Sequence, residues 1–573
     1  MSLKEIKKND ASKGIAHIKG EYVVKVEPDE IPAKKAKLND EPKKKKGQFK
    51  NRHGTNKTPT DLNSCLCSSL IDVPEDLPTL PKCEYNNCKY LHNLNKYLET
   101  KPPDIGDKCF TYETKGYCPR GVTCRFGKSH LTDTGRNKKC PQKMAEYEKN
   151  GLKCVNSVSK DIQFKLKKKT YDFSKSNAIV EEINKSKNED TNCVNEDSEK
   201  NIGPCSDADE IKLKQNEKKK INWEGKLYLS PLTTLGNLPF RRICKEFGAD
   251  ITCAEMTMAP SLLQSFQYEW ALIKRHQSED LFGIQICGNN HSVMTKCAQL
   301  LEETVEVDFI DINLGCPIDM VYQKGSGSGL LRREKALNII IQSMTRVLSL
   351  PLTVKTRTGV YADKNVAHKL IPIYKSAGVS LITVHGRSRE QRYTKTADWE
   401  YINECAKIAN PIPLFGNGDI LSYTDYYDRM TNFNDISGVM IGRGALYKPW
   451  IFTEIKEQKD WDISSSERFE IIRKYVNYGL EHWGSDTKGV ELTRQFTLEW
   501  LSFLYRYIPV GLLERPPQKI NERPPRYVGR NDLETLMASS NCSDWVKITE
   551  MLLGPVPDNF HFLPKHKANA WAT

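Results

Sequence analysis

Residues 309–331 read FIDINLGCPIDMVYQKGSGSGLL. A short apolar run, Phe309–Gly315, has strand character, is broken by Cys316-Pro317, and gives way to a glycine-rich stretch after Lys324. Similar apolar runs recur on both sides, at Lys226–Pro231, Ile251–Met256, Phe282–Gly288, Leu352–Arg357, Leu381–Arg387, Pro413–Gly416 and Gly438–Gly442. Helical patterns separate them, among them Pro239–Phe247, Asn365–Ala377 and Asp398–Ile408. Short strands alternating with helices imply a parallel βα architecture, because parallel strands need crossovers and are covered on both faces. Eight runs fit a TIM (β/α)8 barrel better than an open doubly wound sheet, and no Gly-x-Gly-x-x-Gly follows the first run.

In such a barrel the chemistry sits at the carboxyl ends of the strands. Those ends carry Ser230 and Thr233, Glu255, Gln285, Asn313 with Cys316, Lys355 with Arg357, His385 with Arg387, Asn417 with Asp419, and Gly442-Arg443. Any one of them has an ordinary structural explanation, as a cap or a snorkelling cation. Their convergence on one rim points to an active site.

The 573 residues carry 86 Lys and Arg against 73 Asp and Glu, a net charge of +13. Residues 1–222 hold +12 of it, so the search for a nucleic-acid contact begins there. Residues 1–60 are lysine-rich and poor in aromatics and predict a disordered basic tail. Within them Pro32-Ala-Lys-Lys-Ala-Lys-Leu38 and Lys43–Lys46 have the form of a nuclear-import signal, which implies nucleus and cytoplasm. Residues 134–222 read as a polar linker with one element, Val158–Phe173. No apolar run reaches membrane-spanning length, and the start MSLKEIKKND lacks the apolar stretch of a secretory signal. The cysteines are therefore expected to be reduced.

Between the polar stretches, residues 61–133 gather cysteines and histidines. Cys109, Cys118, Cys124 and His130 supply three thiolates and an imidazole, the donor set of a closed tetrahedral Zn²⁺ site. Upstream, Cys83, Cys88 and His92 need a fourth ligand, either Cys67 or Cys65, with Cys67 preferred. Both resemble CCCH zinc fingers, although five residues separate Cys124 from His130 where three is usual. Tyr90 beside Lys89, Phe126 beside Arg125, and Tyr117 are the aromatic and basic residues on which such fingers stack RNA bases.

Asn313-Leu-Gly-Cys316-Pro, Lys324-Gly-Ser-Gly-Ser-Gly329, Val-Lys355-Thr-Arg357-Thr-Gly, Val-His385-Gly-Arg387-Ser and Phe-Gly-Asn417-Gly418-Asp419 together resemble the tRNA-dihydrouridine synthase family, in its branch with tandem fingers. The resemblance implies reduction of uridine to 5,6-dihydrouridine in tRNA, at the variable-loop position 47, by FMN with NADPH as reductant. No side chain donates hydride, so a flavin must. It implies Cys316 as proton donor to C5 and Asn313 as an orienting residue. Pro231, Leu232, Thr233, Gln285, Lys355 and His385 would contact the flavin, with Lys355 supplying a cation at its N1/O2 edge. Asn417, Gly418, Asp419, Gly442 and Arg443 would surround the phosphate. Arg357, Arg387 and Arg494 are assigned to RNA.

The barrel is expected over 223–460 and a helical tRNA-binding domain over 461–573, with helices at Ser465–Trp483 and Val490–Tyr507. A monomer acting on tRNA is the expectation, with messenger RNA left open as a second substrate. Two rival readings are an RNA-binding finger protein whose barrel has lost catalysis, and another FMN-barrel oxidoreductase acting on a free pyrimidine.

Overall fold

A computed structural model of the chain describes residues 14–24, 64–150, 154–192, 218–391, 393, 395–520 and 522–565. The import motif at 32–46 lies outside them. Eight strands form the barrel: β1 (Leu227–Leu229), β2 (Thr252–Cys253), β3 (Phe282–Cys287), β4 (Phe309–Asn313), β5 (Leu352–Arg357), β6 (Leu381–His385), β7 (Leu414–Asn417) and β8 (Gly438–Ile441). They neighbour one another in the order β1-β8-β7-β6-β5-β4-β3-β2, all parallel. Hydrogen bonds from Leu229 N–H to Ile251 O (2.9 Å) and from Ile251 N–H to Leu227 O (3.1 Å) join the two ends.

Helices cover the outside and side chains fill the inside, so a strand such as β3 is buried at every position. Trp223, Tyr228, Phe309, Phe415 and Met440 pack together at the amino ends of the strands, with Trp223 edge-on to Phe309 at 5.3 Å. The run expected at Ile251–Met256 is interrupted: β2 stops at Cys253, and a separate pair, Thr257–Met258, rejoins β3. Glu255 lies in the gap, its carboxylate accepting Thr234 N–H at 2.6 Å.

The helix Ser465–Trp483 begins with a capping box between Ser464 and Glu467. Its successor spans Thr487–Leu504 rather than Val490–Tyr507, because Asp486 accepts Gly489 N–H and starts the helix earlier. Asp532–Ala538 and Cys542–Leu553 complete the helical region. Trp500 fastens it to the barrel helix Leu238–Glu246, its ring 5.6 Å from Phe240 and 4.8 Å from Tyr475.

Two expectations from composition need correction. Residues 14–24 are not a free tail: Ile15, Ile18 and Val23 pair with Arg523, Leu513 and Tyr527, and Ala16 and Ile18 bury against Ile508, Leu512 and Leu513. The described part of 134–222 is more than a linker with one element, since it holds the helices Pro141–Asn150, Lys160–Lys168 and Ser174–Asn192. The last packs on His291–Thr304 and Glu334–Val347, and Ser176 donates to Gln299 Oε1 at 2.5 Å. Such segments need few apolar residues of their own, because the barrel supplies the other side of the contact.

Candidate active site and metal centres

Parallel register sets the polar residues side by side. Gln285 on β3 lies opposite Asp311 on β4, and Asp311 opposite Thr353 on β5. One layer nearer the carboxyl ends, Asn313 faces Lys355. Farther round, Arg357 faces His385, and His385 faces Asn417.

Four of these residues, Thr353, Asp311, Gln285 and Asn313, form one hydrogen-bond chain. Asp311 accepts from Thr353 Oγ1 (2.6 Å) and from Gln285 Nε2 (2.7 Å). That fixes the Gln285 amide so that its Oε1 accepts from Asn313 Nδ2 at 2.7 Å. Asn313 Oδ1 is thereby turned to the backbone N–H groups of Gly315 (3.2 Å) and Cys316 (2.9 Å). The Cys316 carbonyl accepts from Ser328 Oγ at 2.7 Å. Gly327, in the left-handed region at φ +56°, closes against the thiol loop, where an added Cβ would stand 3.0 Å from Cys316 Cβ. Arg357 Nε donates to Gly315 O (2.7 Å) and its Nη1 to Ser388 O (2.9 Å). The cysteine is thus held from both sides of its loop.

Burial pushes the Cys316 thiol up from its ordinary value, which keeps it protonated at neutral pH. Burial raises the Asp311 carboxyl to about 6. Lys355 is lowered to about 8, first by burial and then by the Arg357 charge. Among the described residues its ammonium bonds to one group, the amide oxygen Asn417 Oδ1 at 3.3 Å. Burial, with the charges of Arg357 and Lys355 added, holds His385 well below its usual value, so the ring is neutral.

Leu232 and Ser230, after β1, meet Gly442, after β8: a Cβ on Gly442 would lie 3.6 Å from Ser230 Cβ and 3.7 Å from Leu232 Cδ2. Gly418 at φ +136° sits against His385 and Arg387. Pro231 is half-buried beside Leu232, and Thr233 is exposed. The expected flavin residues therefore share one mouth, and the donor set suits an FMN. A desolvated lysine bonded to an amide oxygen, two amides and a neutral imidazole fit a polar ring, while Arg443 and an open glycine fit a phosphate.

Asp419 departs from expectation. Its carboxylate is saturated by Arg387 Nη2 (2.7 and 2.6 Å), Arg443 Nη2 (2.7 Å) and Ala397 N–H (2.7 Å). A carboxylate repels phosphate, so Asp419 clamps the arginines and does not receive the anion. The three arginines assigned to RNA are internal as well. Arg357 braces the Cys316 loop, and Arg387 is 1% exposed in its ion pair with Asp419. Arg494 donates to Leu553 O, Gly554 O and Thr549 Oγ1, closing the end of the helix Cys542–Leu553. Sequence reasoning passed over Asp311, Thr353 and Ser328; a charged residue inside the apolar run FIDIN was the available signal for the first.

The two metal centres assemble as ligand sets. Cys67, Cys83, Cys88 and His92 bring their donor atoms within 4.8 Å of one another, as do Cys109, Cys118, Cys124 and His130, and Cys65 is not among them. The Gly127–Ser129 turn absorbs the long gap before His130. His130 Nδ1 is bonded to Asn137 Oδ1 at 2.8 Å, while its buried Nε2 makes no hydrogen bond. An orphaned imidazole nitrogen facing three thiols fits Zn²⁺.

The second centre is packed against the helical region. Phe126 and the three cysteines bury against Val476, Leu480, Val490 and Leu553. Arg125 N–H donates to Ser485 O (2.8 Å), Arg120 to Trp483 O (3.1 Å), and Lys115 pairs with Glu481 (2.8 Å). Phe126, at 8% exposed, is thus not a stacking platform for RNA. Around the first centre Tyr85 (72%) and Tyr90 (45%) are open to solvent.

The family model for dihydrouridine synthase matches residues 228–502, and that for the DUS3L CCCH zinc finger domain matches 101–133. A protein of Xenopus tropicalis named tRNA-dihydrouridine(47) synthase [NAD(P)(+)]-like is 53% identical over 94% of this chain and 85% of its own length. The chain belongs to the dihydrouridine synthase family. Proteins of the same name from Xenopus laevis (54% identical, 94% of this chain, 85% of theirs) and Homo sapiens (51%, 92% and 84%) agree. Among solved structures, morphinone reductase matches 41% of this chain and 86% of its own at 10% identity and a TM-score of 0.31, too slight a likeness to argue from. Among the described residues no helix is long and apolar enough to cross a membrane.

Proposed function

We propose that this protein reduces uridine to 5,6-dihydrouridine in tRNA, with Cys316 donating the proton to C5. The observation that carries the reading is the fixed, buried thiol: Asn313 and Ser328 immobilise its backbone on either side, and burial favours the proton on sulfur. A general acid works when it is positioned and still protonated at the operating pH. FMN, when bound, supplies the hydride for C6 and is restored by NADPH. Lys355, Gln285, His385 and the Pro231–Thr233 turn would hold its ring, and Asn417, Gly418, Gly442 and Arg443 its phosphate end. As the C5–H bond forms, the S–H bond breaks, and the thiolate takes its proton back from solvent. With the cofactor bound, the desolvated Lys355 cation would offset negative charge on its ring.

Position 47 and a nicotinamide reductant follow from the name the relatives carry. Zn²⁺ in both cysteine and histidine sets belongs to the same proposal, with the exposed Tyr85, Lys89 and Tyr90 of the first finger meeting unpaired RNA. So do a monomeric enzyme, action on messenger RNA, and passage between nucleus and cytoplasm. The decisive experiment supplies purified holoenzyme with NADPH and unmodified tRNA transcript and reads dihydrouridine by mass. Oxidation of NADPH by free uracil derivatives, with none by tRNA, would sink the reading in favour of a small-molecule reductase.

A further inference from the structure

With Arg357, Arg387 and Arg494 turned inward, the cations that would meet an RNA backbone must be sought elsewhere on the barrel's carboxyl face. The loop that carries Cys316 holds them. Lys324, Arg332, Arg333 and Lys335 are all exposed, and among the described residues none of the four has an ion pair. The nearby acid Asp319 is taken by Arg389, so Glu334 is the remaining carboxylate of the loop.

Two of these cations are brought together by the backbone. Gly325 adopts φ +74°, and the Arg333 guanidinium folds over it: a Cβ there would stand 3.0 Å from Arg333 Nη1. That places Arg333 beside Lys324, whose carbonyl is bonded by Asn289. Arg332 Nη1 donates to Tyr322 OH at 2.8 Å, and Arg389 lies over the Tyr322 ring at 3.9 Å. The ridge is therefore ordered. Like charges gathered without a counter-charge weaken a fold, and cations at the start of the helix Glu334–Val347 oppose its dipole. Packing gives no reason for them; an external polyanion does. The same loop ties back to the reacting group through Ser328 and Gly327 on Cys316. Ile318 and Met320, next to Cys316, present apolar surface to solvent at 41% and 52% exposed, which suits nucleobases.

We infer that Lys324 and Arg333, flanked by Arg332 and Lys335, form a phosphate-binding ridge for the RNA backbone adjoining the uridine delivered to Cys316. The inference rests on the proposed reading. An anion on this ridge is held by the same loop that carries the proton donor, so backbone binding and base placement share one rigid support.

The test uses the full-length holoenzyme and measures affinity for unmodified tRNA transcript at several salt concentrations. Lys324→Glu/Arg333→Glu and, separately, Arg332→Ala/Lys335→Ala are compared with Lys407→Glu on the outer helix Trp399–Ala409. Flavin absorbance and melting temperature check folding. The expected result is at least tenfold weaker binding for the first pair, with the slope of log affinity against log salt shallower by roughly 0.7–0.9 for each phosphate no longer neutralised, and no change for Lys407→Glu. Ridge variants that match wild type in affinity and slope overturn the ridge alone. A wild-type protein that binds no tRNA overturns the functional reading and the ridge with it. Variants that lose polyglutamate but keep tRNA assign the ridge to an acidic protein and likewise overturn the inference.

Discussion

Asn313 Oδ1 accepts the backbone N–H of Cys316 at 2.9 Å while its Nδ2 donates to Gln285 Oε1 at 2.7 Å. The amide can serve both only in one orientation, and Asp311 enforces it through Gln285. Asn313→Ala is expected to lower dihydrouridine formation about 100-fold, the scale of a displacement of about 1 Å at a reacting group, while flavin content is retained. Single-turnover assays with reduced enzyme read this directly, and a variant as fast as wild type would show that the loop holds itself.

Cys316→Ala should retain flavin reduction by NADPH yet lose about 10²–10⁴-fold in dihydrouridine formation. Because burial raises the thiol, its thiolate forms only above the pH at which an ordinary cysteine ionises. The rate of iodoacetamide labelling at Cys316 should therefore climb at a higher pH than that of a free thiol. Half-maximal labelling at or below the ordinary value would contradict a protonated donor.

Lys355 keeps its charge at pH 7 and loses it as pH rises through about 8. Flavin reduction should fall on that alkaline limb, and Lys355→Met should be slower at pH 7, by about 100-fold, with the limb removed. Its folded value lies below the ordinary lysine value of 10.5, so the native state releases this proton more readily than the unfolded chain. The charge then costs stability, fully so below about pH 8, with the cost fading as pH approaches the unfolded value. Lys355→Met should accordingly melt higher than wild type at pH 7. A lower melting temperature, or an unchanged limb, would refute the assignment.

The two fingers should respond differently to loss of a ligand. Cys118→Ser removes a centre whose face is buried against Val476, Leu480 and Val490. At about 2 kcal/mol lost and 2–4 °C for each, the melting temperature should drop by about 4–8 °C. Hydrogen exchange should quicken between the helices Ser465–Trp483 and Thr487–Leu504. Cys88→Ser, at the exposed first centre, should leave melting unchanged and weaken tRNA binding. Equal destabilisation by both variants would deny the second finger its fastening role.

Arg494→Ala separates structure from recognition. Loss of its bonds to Leu553 O, Gly554 O and Thr549 should destabilise the protein by about 2–3 kcal/mol. The salt dependence of tRNA affinity should stay as in wild type, since the guanidinium meets no phosphate. A shallower salt slope in a stably folded variant would restore it to the RNA surface.

The barrel was legible because strand and helix periodicity are local. The runs Phe309–Gly315, Leu352–Arg357, Leu381–Arg387 and Pro413–Gly416 overlap the strands β4, β5, β6 and β7 of the structure, and parallel register sets their ends side by side. Cysteine and histidine spacing likewise pointed to both ligand sets, with Cys67 preferred over Cys65, and the folded loops gather those same donor atoms. Residues 14–24 and the helix Ser174–Asn192 were missed because their stabilising partners, such as Leu513 and Gln299, lie far along the chain and leave no mark in local composition.

What the chain's letters determined by themselves was which residues can do chemistry: the thiol, the lysine, the amides, the zinc donors and the family they imply. Tertiary structure decided which of the charged residues face outward. Arg357, Arg387, Arg494 and Asp419 look in sequence like surface contacts, yet each is consumed by an internal partner. Lys324 and Arg333, in a loop that reads as glycine-rich spacer, have no ion-pair partner among the described residues. The reason is physical: burial and internal pairing decide what a charge can meet, and they are set by long-range packing rather than by local sequence.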